Sequence, residues 1–151
     1  MPSPSYIYVA SSWKNTHQPN VVECLRLAGY TVYDYRHPAP DNDGFFWRQV
    51  DPNWESWSPR QMMEAFKHPL TISGFGYDMA ALKACDACVI CLPSGNDAHL
   101  ELGYCVGAGK PTFIYAPEMR IKAGMMYKMC GPLATDMIGL LNLLHDHGVR
   151  K

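Results

Sequence analysis

A glutamate, Glu101, stands between Leu100 and Leu102 in a segment of helical spacing, shortly after the small polar loop Ser94-Gly95-Asn96-Asp97. The positive end of a helix favours an ionised carboxylate. In a cleft, such a group is a nucleophile or a stabiliser of a developing cation. Its neighbours at helical spacing are Asp97, Cys105 and Ala108, a small and polar face. Glu101 reads equally well as a surface residue of an amphipathic helix.

The loop before it also has two readings. A glycine-containing turn at a helix N-terminus offers backbone N–H groups to a phosphate or a sugar hydroxyl. Ordinary capping explains it as well, since Ser94 and Asp97 have capping-box spacing and Asn96 is a good N-cap. His99 reads as a packed or half-exposed histidine. Tyr8 lies near the end of an apolar, β-rich run, where its hydroxyl can reach a carboxylate across the strand ends. As an alternating strand residue with Tyr6, it needs no such role. The Ser11-Ser12-Trp13 turn follows that run. Asp78 is expected to open a helix, where an acid suits the macrodipole.

Cys85, Cys88 and Cys91 give two overlapping CxxC spacings, but Cys88 and Cys91 fall in one expected strand and point to opposite faces. Buried free thiols are the expected outcome, with no metal site. His145 and His147, in the tail, read as solvated.

The elements that must position these groups follow from the apolar pattern. Strands are expected over residues 5–10, 31–35, 87–92 and 112–116. The short apolar run at 87–92, bounded by Pro93, reads as a buried central strand. Helices are expected over 19–27, 59–66, 77–84, from Asn96 or Asp97 to Gly107, and over 133–145. Residues 68–76 read as turn-rich, and 118–130 carry no assignment. Strand, loop and helix alternate, which predicts a single α/β domain over 1–151 with a flavodoxin- or Rossmann-like parallel sheet and helices on both faces. Ligands of such sheets bind at the carboxyl ends of the strands. Residues 37–59 break the rhythm with an aromatic-rich insertion that includes Phe46, Trp47, Trp54 and Trp57. Its aromatics suit stacking on a ligand, and equally a packed flap or a subunit contact.

With 151 residues, 48% apolar and 18% charged, the composition is globular. A net charge of −1 gives no electrostatic footprint for a nucleic-acid polymer or an acidic membrane. No apolar run approaches the roughly 20 residues of a membrane span, and the first residues show no signal peptide. A cytoplasmic protein without a cofactor is the expectation.

Taken together, Ile7-Tyr-Val-Ala-Ser-Ser-Trp13, Asp78 with Asp86, Glu101-Leu-Gly-Tyr104 and Gly109-Lys-Pro111 resemble the nucleoside 2-deoxyribosyltransferase family. The resemblance implies that Glu101 attacks the anomeric carbon to form a glycosyl-enzyme intermediate. It implies that Tyr8 orients that carboxylate and that Asp78 handles the nucleobase and its proton. Ala10, Ser11, Ser12, Trp13, Ser94, Gly95, Asn96 and Asp97, with Phe46 and Trp47, are the matching substrate-binding candidates. Transferases of this kind pass the sugar to a second base, and relatives acting on nucleoside monophosphates pass it to water. Members are homodimers or higher oligomers that share residues between sites. The chain departs from the pattern at Gly95, where the transferases carry an aspartate six positions before the nucleophile. Ser94 is one position from the serine of the monophosphate hydrolases. Asp97 can stand in for the missing acid, although its charge opposes a phosphate.

Two further readings share the same residues. Toll/interleukin-receptor-like NAD glycohydrolases also use a helical glutamate on a flavodoxin-like sheet. A non-catalytic nucleotide-sensing domain would keep the pocket without turnover.

Overall fold

A computed structural model describes residues 2–151. Five strands form one sheet: β1 (Tyr6–Ala10), β2 (Thr31–Tyr33), β3 (Ala87–Cys91), β4 (Thr112–Tyr115) and β5 (Leu133–Ala134). Their order is β2-β1-β3-β4-β5 and every pairing is parallel. The helices are α1 (Gln18–Leu27), α2 (Pro59–Ala65), α3 (Pro69–Ala84), α4 (Asn96–Gly107) and α5 (Met137–Asp146). The expected α/β fold with a parallel sheet is the observed one. No helix among the described residues is long and apolar enough to cross a membrane.

The chain forms two compact units, one of residues 1–34 and 84–151 and one of residues 35–83. The first holds the whole sheet. On one face, Ile7, Val9, Val89 and Phe113 pack with Val21, Val22 and Leu25 of α1 and Leu140 and Leu144 of α5. Alternation along the strands turns Tyr8, Ala10, Cys88 and Ile90 to the other face. Here α4 lies across β3, reaching β1 and β4, and buries Ala98, Leu102 and Cys105. All five residues of β3 are buried, as befits a central parallel strand covered on both faces.

At the amino ends of the strands, Asp86 and Tyr6 exchange bonds: Tyr6 N–H donates to Asp86 Oδ2 at 2.8 Å, and Asp86 N–H donates to the Tyr6 carbonyl at 2.7 Å. Lys110 Nζ donates to the Cys85 carbonyl at 2.6 Å. Two charged residues of the family-like motifs therefore hold the edge of the sheet opposite the strands' carboxyl ends.

The second unit is built around Trp47, in the short 3-10 turn Trp47–Gln49. Its ring meets Phe45 at 4.8 Å, Trp57 at 5.4 Å and Phe66 at 6.5 Å between centroids. Trp57 Nε1–H donates to Asp51 Oδ2 at 2.7 Å. The guanidinium of Arg48 lies 4.2 Å from the centre of the Phe46 ring. Ser58 caps α2 with Gln61 in a reciprocal capping box.

Four expectations need correction. Residues 73–76 are not a turn, because α3 runs unbroken from Pro69 to Ala84. It starts where Pro69 supplies a first-turn residue and His68 Nδ1 accepts from Leu70 N–H at 3.1 Å. Gly74 suits it because an added Cβ would lie 2.9 Å from Phe45 Cβ, so the close approach requires glycine. Asp78 therefore lies inside a helix and not at its start. Leu133 does not begin the last helix. It belongs to β5, whose flanking carbonyls bond β4, with Ile114 N–H on Pro132 O at 3.2 Å and Ala116 N–H on Ala134 O at 2.9 Å. The helix begins only after Asp136, whose Oδ1 accepts from Gly139 N–H at 2.7 Å. Finally, β2 stops at Tyr33, two residues before the expected end.

Candidate active site

In the order β2-β1-β3-β4-β5 the connections reverse direction between β1 and β3, which makes the carboxyl ends of those two strands the place of the crevice in which open α/β sheets bind ligands. The loops that leave them, residues 11–17 and 92–95, are joined by side-chain hydrogen bonds. Ser11 Oγ donates to the Cys91 carbonyl at 2.8 Å, Ser94 Oγ donates to the same carbonyl at 3.0 Å, and the two hydroxyls are 3.4 Å apart. Ser12 Oγ accepts from Lys14 N–H at 3.2 Å, and Ser11, Ser12 and Trp13 are half-buried. Ala10 is fully buried and pairs with Ile90.

The side chain that joins the loops most completely is Asn15, unremarked in the sequence and only 3% exposed. Its Nδ2 donates to the carbonyls of Cys91 at 3.1 Å and Pro93 at 2.9 Å. Its Oδ1 accepts from the N–H groups of His17 at 2.8 Å and Gln18 at 3.0 Å. All four sites of the amide are used. A local signal existed, since Asn two residues before a helix N-cap, here His17, is a frequent turn-former. Its partners in the other loop carry no local signal.

Ser94, Gly95, Asn96 and Asp97 lead into α4, but not through the expected capping. The N-cap is Gly95, and no side chain bonds the first-turn N–H groups. Ser94 is drawn away to Cys91 and Ser11, which leaves the positive end of α4 uncapped. His99 is half-buried, as expected. Its Nδ1 lies 2.7 Å from the Gly95 carbonyl, so Nδ1–H donates there, and Nε2 accepts from the Tyr127 hydroxyl at 2.7 Å. Burial raises the Tyr127 phenol above its ordinary range, helped by nearby Cys130.

Glu101 is half-buried in the second turn of α4. At about 100° per residue, it projects from the flank of α4 on the β1 side, just beside the stripe of Ala98, Leu102 and Cys105 that meets the sheet. Tyr8 faces the same layer from β1. It is fully buried and stacks on Tyr33 of β2, with centroids 5.1 Å apart. The carboxylate and the phenol thus both belong to the face of the sheet that α4 covers. Below them, the Cys85 and Cys105 sulfurs lie 4.0 Å apart in the interior.

Asp78, Phe46 and Trp47 lie in the second unit. Asp78 is half-buried on α3. Trp47 is taken up by the aromatic cluster and Phe46 by Arg48.

No protein-family model matches the chain, and no curated protein matches it in sequence. Solved structures do. A 2-deoxyribosyltransferase from Bacillus psychrosaccharolyticus superposes with a TM-score of 0.58 at 22% identity, covering 91% of each chain. A conserved protein from Enterococcus faecalis V583 gives 0.61 at 14% identity, covering 96% of this chain and 99% of its own. A CMP N-glycosidase from Clostridium botulinum gives 0.50 at 15% identity, covering 93% and 98%. The fold is that of the nucleoside deoxyribosyltransferases. At these identities the likeness is one of backbone architecture across nearly the whole length of each chain.

Proposed function

We propose that the protein cleaves or transfers the N-glycosidic bond of a (deoxy)nucleoside or nucleoside 5′-monophosphate, with Glu101 as nucleophile. The observation that carries this is the position of Glu101. It is a half-buried carboxylate in the second turn of a helix with an uncapped N-terminus, flanking the β1–β3 crevice and facing the layer that holds Tyr8. The named relatives of this fold act on such bonds, one as a deoxyribosyltransferase and one as a CMP N-glycosidase.

In this mechanism the Glu101 carboxylate attacks C1′ as the C1′–N bond breaks, and the bonding pair leaves with the base. Asp78 supplies the proton that neutralises the departing nitrogen. Oxocarbenium character grows at C1′ in the transition state, and the anionic carboxylate stabilises and then captures it. The Tyr8 phenol orients Glu101. Water or a second base then attacks C1′ from the opposite side and releases the carboxylate. Ser11, Ser12 and Trp13, with Ser94, Gly95, Asn96 and Asp97, line the sugar and its 5′ end. No cofactor takes part. The protein works in the cytoplasm as a homodimer or larger oligomer. Exposed Met63 on α2, Phe66 just after it, and Ile72 and Phe75 on α3 supply apolar surface for such an assembly.

The test is incubation with pooled nucleosides, nucleoside monophosphates and NAD, with and without an acceptor base, followed by mass spectrometry of the products. Free base or an exchanged nucleoside is expected from the wild type, and neither from Glu101→Ala. Equal cleavage by both proteins would overturn the assignment. Nicotinamide as the sole product would move it to NAD glycohydrolysis, and binding without turnover to a sensing domain.

A further inference from the structure

Between β4 and the 3-10 turn Met125–Met129 the chain has no helix or strand, and no backbone hydrogen bond involves residues 117–123 among the described residues. All of 117–124 except Pro117 are exposed, and Met119 is wholly so. The one hydrogen bond to this stretch is made by a side chain: His17 Nε2–H donates to Glu118 Oε1 at 3.4 Å. The next fixed point is Tyr127, whose hydroxyl donates to His99 Nε2 on α4 at 2.7 Å. At the other end Ala116 is buried and bonded to Ala134 of β5. Residues 117–124 are thus a strap, anchored at both ends and fastened once near its start. A segment with so few bonds opens far more readily than the sheet beneath it.

The fastening crosses the sheet. His17 ends the loop after β1, Glu118 follows β4, and β3 lies between those two strands. Paired strands are about 4.8 Å apart, so β1 and β4 are separated by roughly 10 Å. The two side chains close that gap across the carboxyl end of β3. Beside it lies a cavity of about 600 Å³, with Glu118, Ile121 and Gly124 of the strap on one wall and Pro93, His99 and Val106 on the other. Asn15 holds the loop of β1 to Pro93, and its Oδ1 accepts from His17 N–H. The amide therefore fixes the backbone of His17, and the ring of His17 reaches the strap. That ring caps no N–H of α1, so the helix does not depend on it. The pair is also part-exposed, at 36% for His17 and 51% for Glu118. Such pairs add little to stability, which suits a fastening that opens.

We infer that residues 117–124 are a gate on this cavity and that the His17–Glu118 bond is its latch. With the bond made, the strap forms a wall of the cavity. With the bond broken, the strap swings away from α4 between its two anchors, Ala116 and Tyr127, and the cavity opens. His17 and Glu118 are positioning residues that touch no reacting atom. Passage of substrate through the gate rests on the proposed reaction at Glu101, because Pro93 leads into the loop assigned there to the sugar and its 5′ end. The latch itself does not.

Limited trypsin digestion of the full-length protein reads the latch. Arg120 and Lys122 lie within the strap, and cleavage there follows the population of the open form. His17→Ala and Glu118→Ala should each speed cleavage after these residues about twofold to fivefold, the range open to a part-exposed pair. The double variant should be cut no faster than the faster single one, since both changes remove the same bond. Alkylation reads the cavity, because half-buried Cys130 lines it and half-buried Cys24 on α1 does not. N-ethylmaleimide should modify Cys130 faster in both variants by a similar factor and Cys24 at an unchanged rate, the two being separated by peptide mass spectrometry. Circular dichroism melting within a few degrees of the wild type shows that the variants are folded. Wild-type cleavage rates in both single variants would overturn the latch, as would faster cleavage at every Lys and Arg alike. Faster cleavage with unchanged alkylation of Cys130 would overturn the gate. Neither readout involves turnover, so failure of the Glu101 assignment would leave both results standing.

Discussion

Asn15 Nδ2 donates to the carbonyl of Pro93 at 2.9 Å, across 78 residues of sequence. With its bond to Cys91, this fastens the loop after β1 to the loop after β3, the two walls of the crevice beside Glu101. This buried amide holds the two loops together alongside the Ser11 and Ser94 hydroxyls.

Asn15→Ala should therefore do more than remove a contact. It strands the N–H groups of His17 and Gln18 and takes a donor from two carbonyls, each loss costing on the order of 1–3 kcal/mol when no water replaces it. A fall in unfolding free energy of about 2 kcal/mol or more in urea is expected. Asn15→Asp keeps the acceptor for both N–H groups but sets a carboxylate oxygen against the two carbonyls, so it should also destabilise. If both variants unfold at the wild-type midpoint, the side chain does not join the loops in solution.

Tyr8→Phe separates the hydroxyl from the ring. The stacking on Tyr33 survives, so the variant should fold and melt within a few degrees of the wild type. Base release should drop about tenfold or more in kcat, with a smaller change in KM, because the phenol acts on the nucleophile and not on the bound substrate. An unchanged kcat would remove Tyr8 from the mechanism.

Two glycines of α3 should respond with opposite signs. Gly76 has nothing within 4 Å of an added Cβ, so Gly76→Ala should stabilise by roughly 0.5–1 kcal/mol through helix propensity. At Gly74 the new methyl would lie 2.9 Å from Phe45 Cβ, so Gly74→Ala should destabilise the aromatic unit. Tryptophan fluorescence through thermal unfolding reads both, since Trp47 and Trp57 report on that cluster. Shifts of the same sign would argue against the packing of α3 on Phe45.

The buried thiols should make the fold sensitive to alkali. Cys85 is raised well above the usual thiol range, first by its hydrogen bond with Cys105 and then by burial. For Cys105 the Cys85 bond pulls downward, but a bond with Cys88 and burial outweigh it and push the group up to about 12. Both keep their protons when folded and release them more easily when unfolded. Stability should then be level below about pH 8.5, where an unfolded thiol still holds its proton, and fall as pH climbs towards 12. Urea midpoints at pH 7, 9 and 10.5 check this, with a shallower fall expected for Cys85→Ala/Cys105→Ala. At neutral pH a thiol-specific disulfide reagent should reach half-buried Cys24 and Cys130 first, and the other four only on unfolding.

By itself the sequence determined the order and type of most elements around the crevice. The apolar run 87–92, the polar loop after it and the 3.6-residue spacing through Glu101 are local patterns, and local periodicity reports which face of a strand or helix is buried. The alternation of strand and helix then implied a parallel sheet with its loops at the carboxyl ends. What the sequence could not carry was decided by partners far away along the chain. α3 runs straight through a glycine pair that reads as a turn, because Phe45 fills the space that a side chain at Gly74 would need. β5 is two residues long, and only bonding to β4 makes it a strand. Ser94 forgoes capping α4 because its hydroxyl turns to the Cys91 carbonyl three residues back and to Ser11, which comes within reach only once β1 and β3 pair. Asn15 follows the same rule: its hydrogen bonds join loops brought together by strand order, and no window of sequence contains both ends of them.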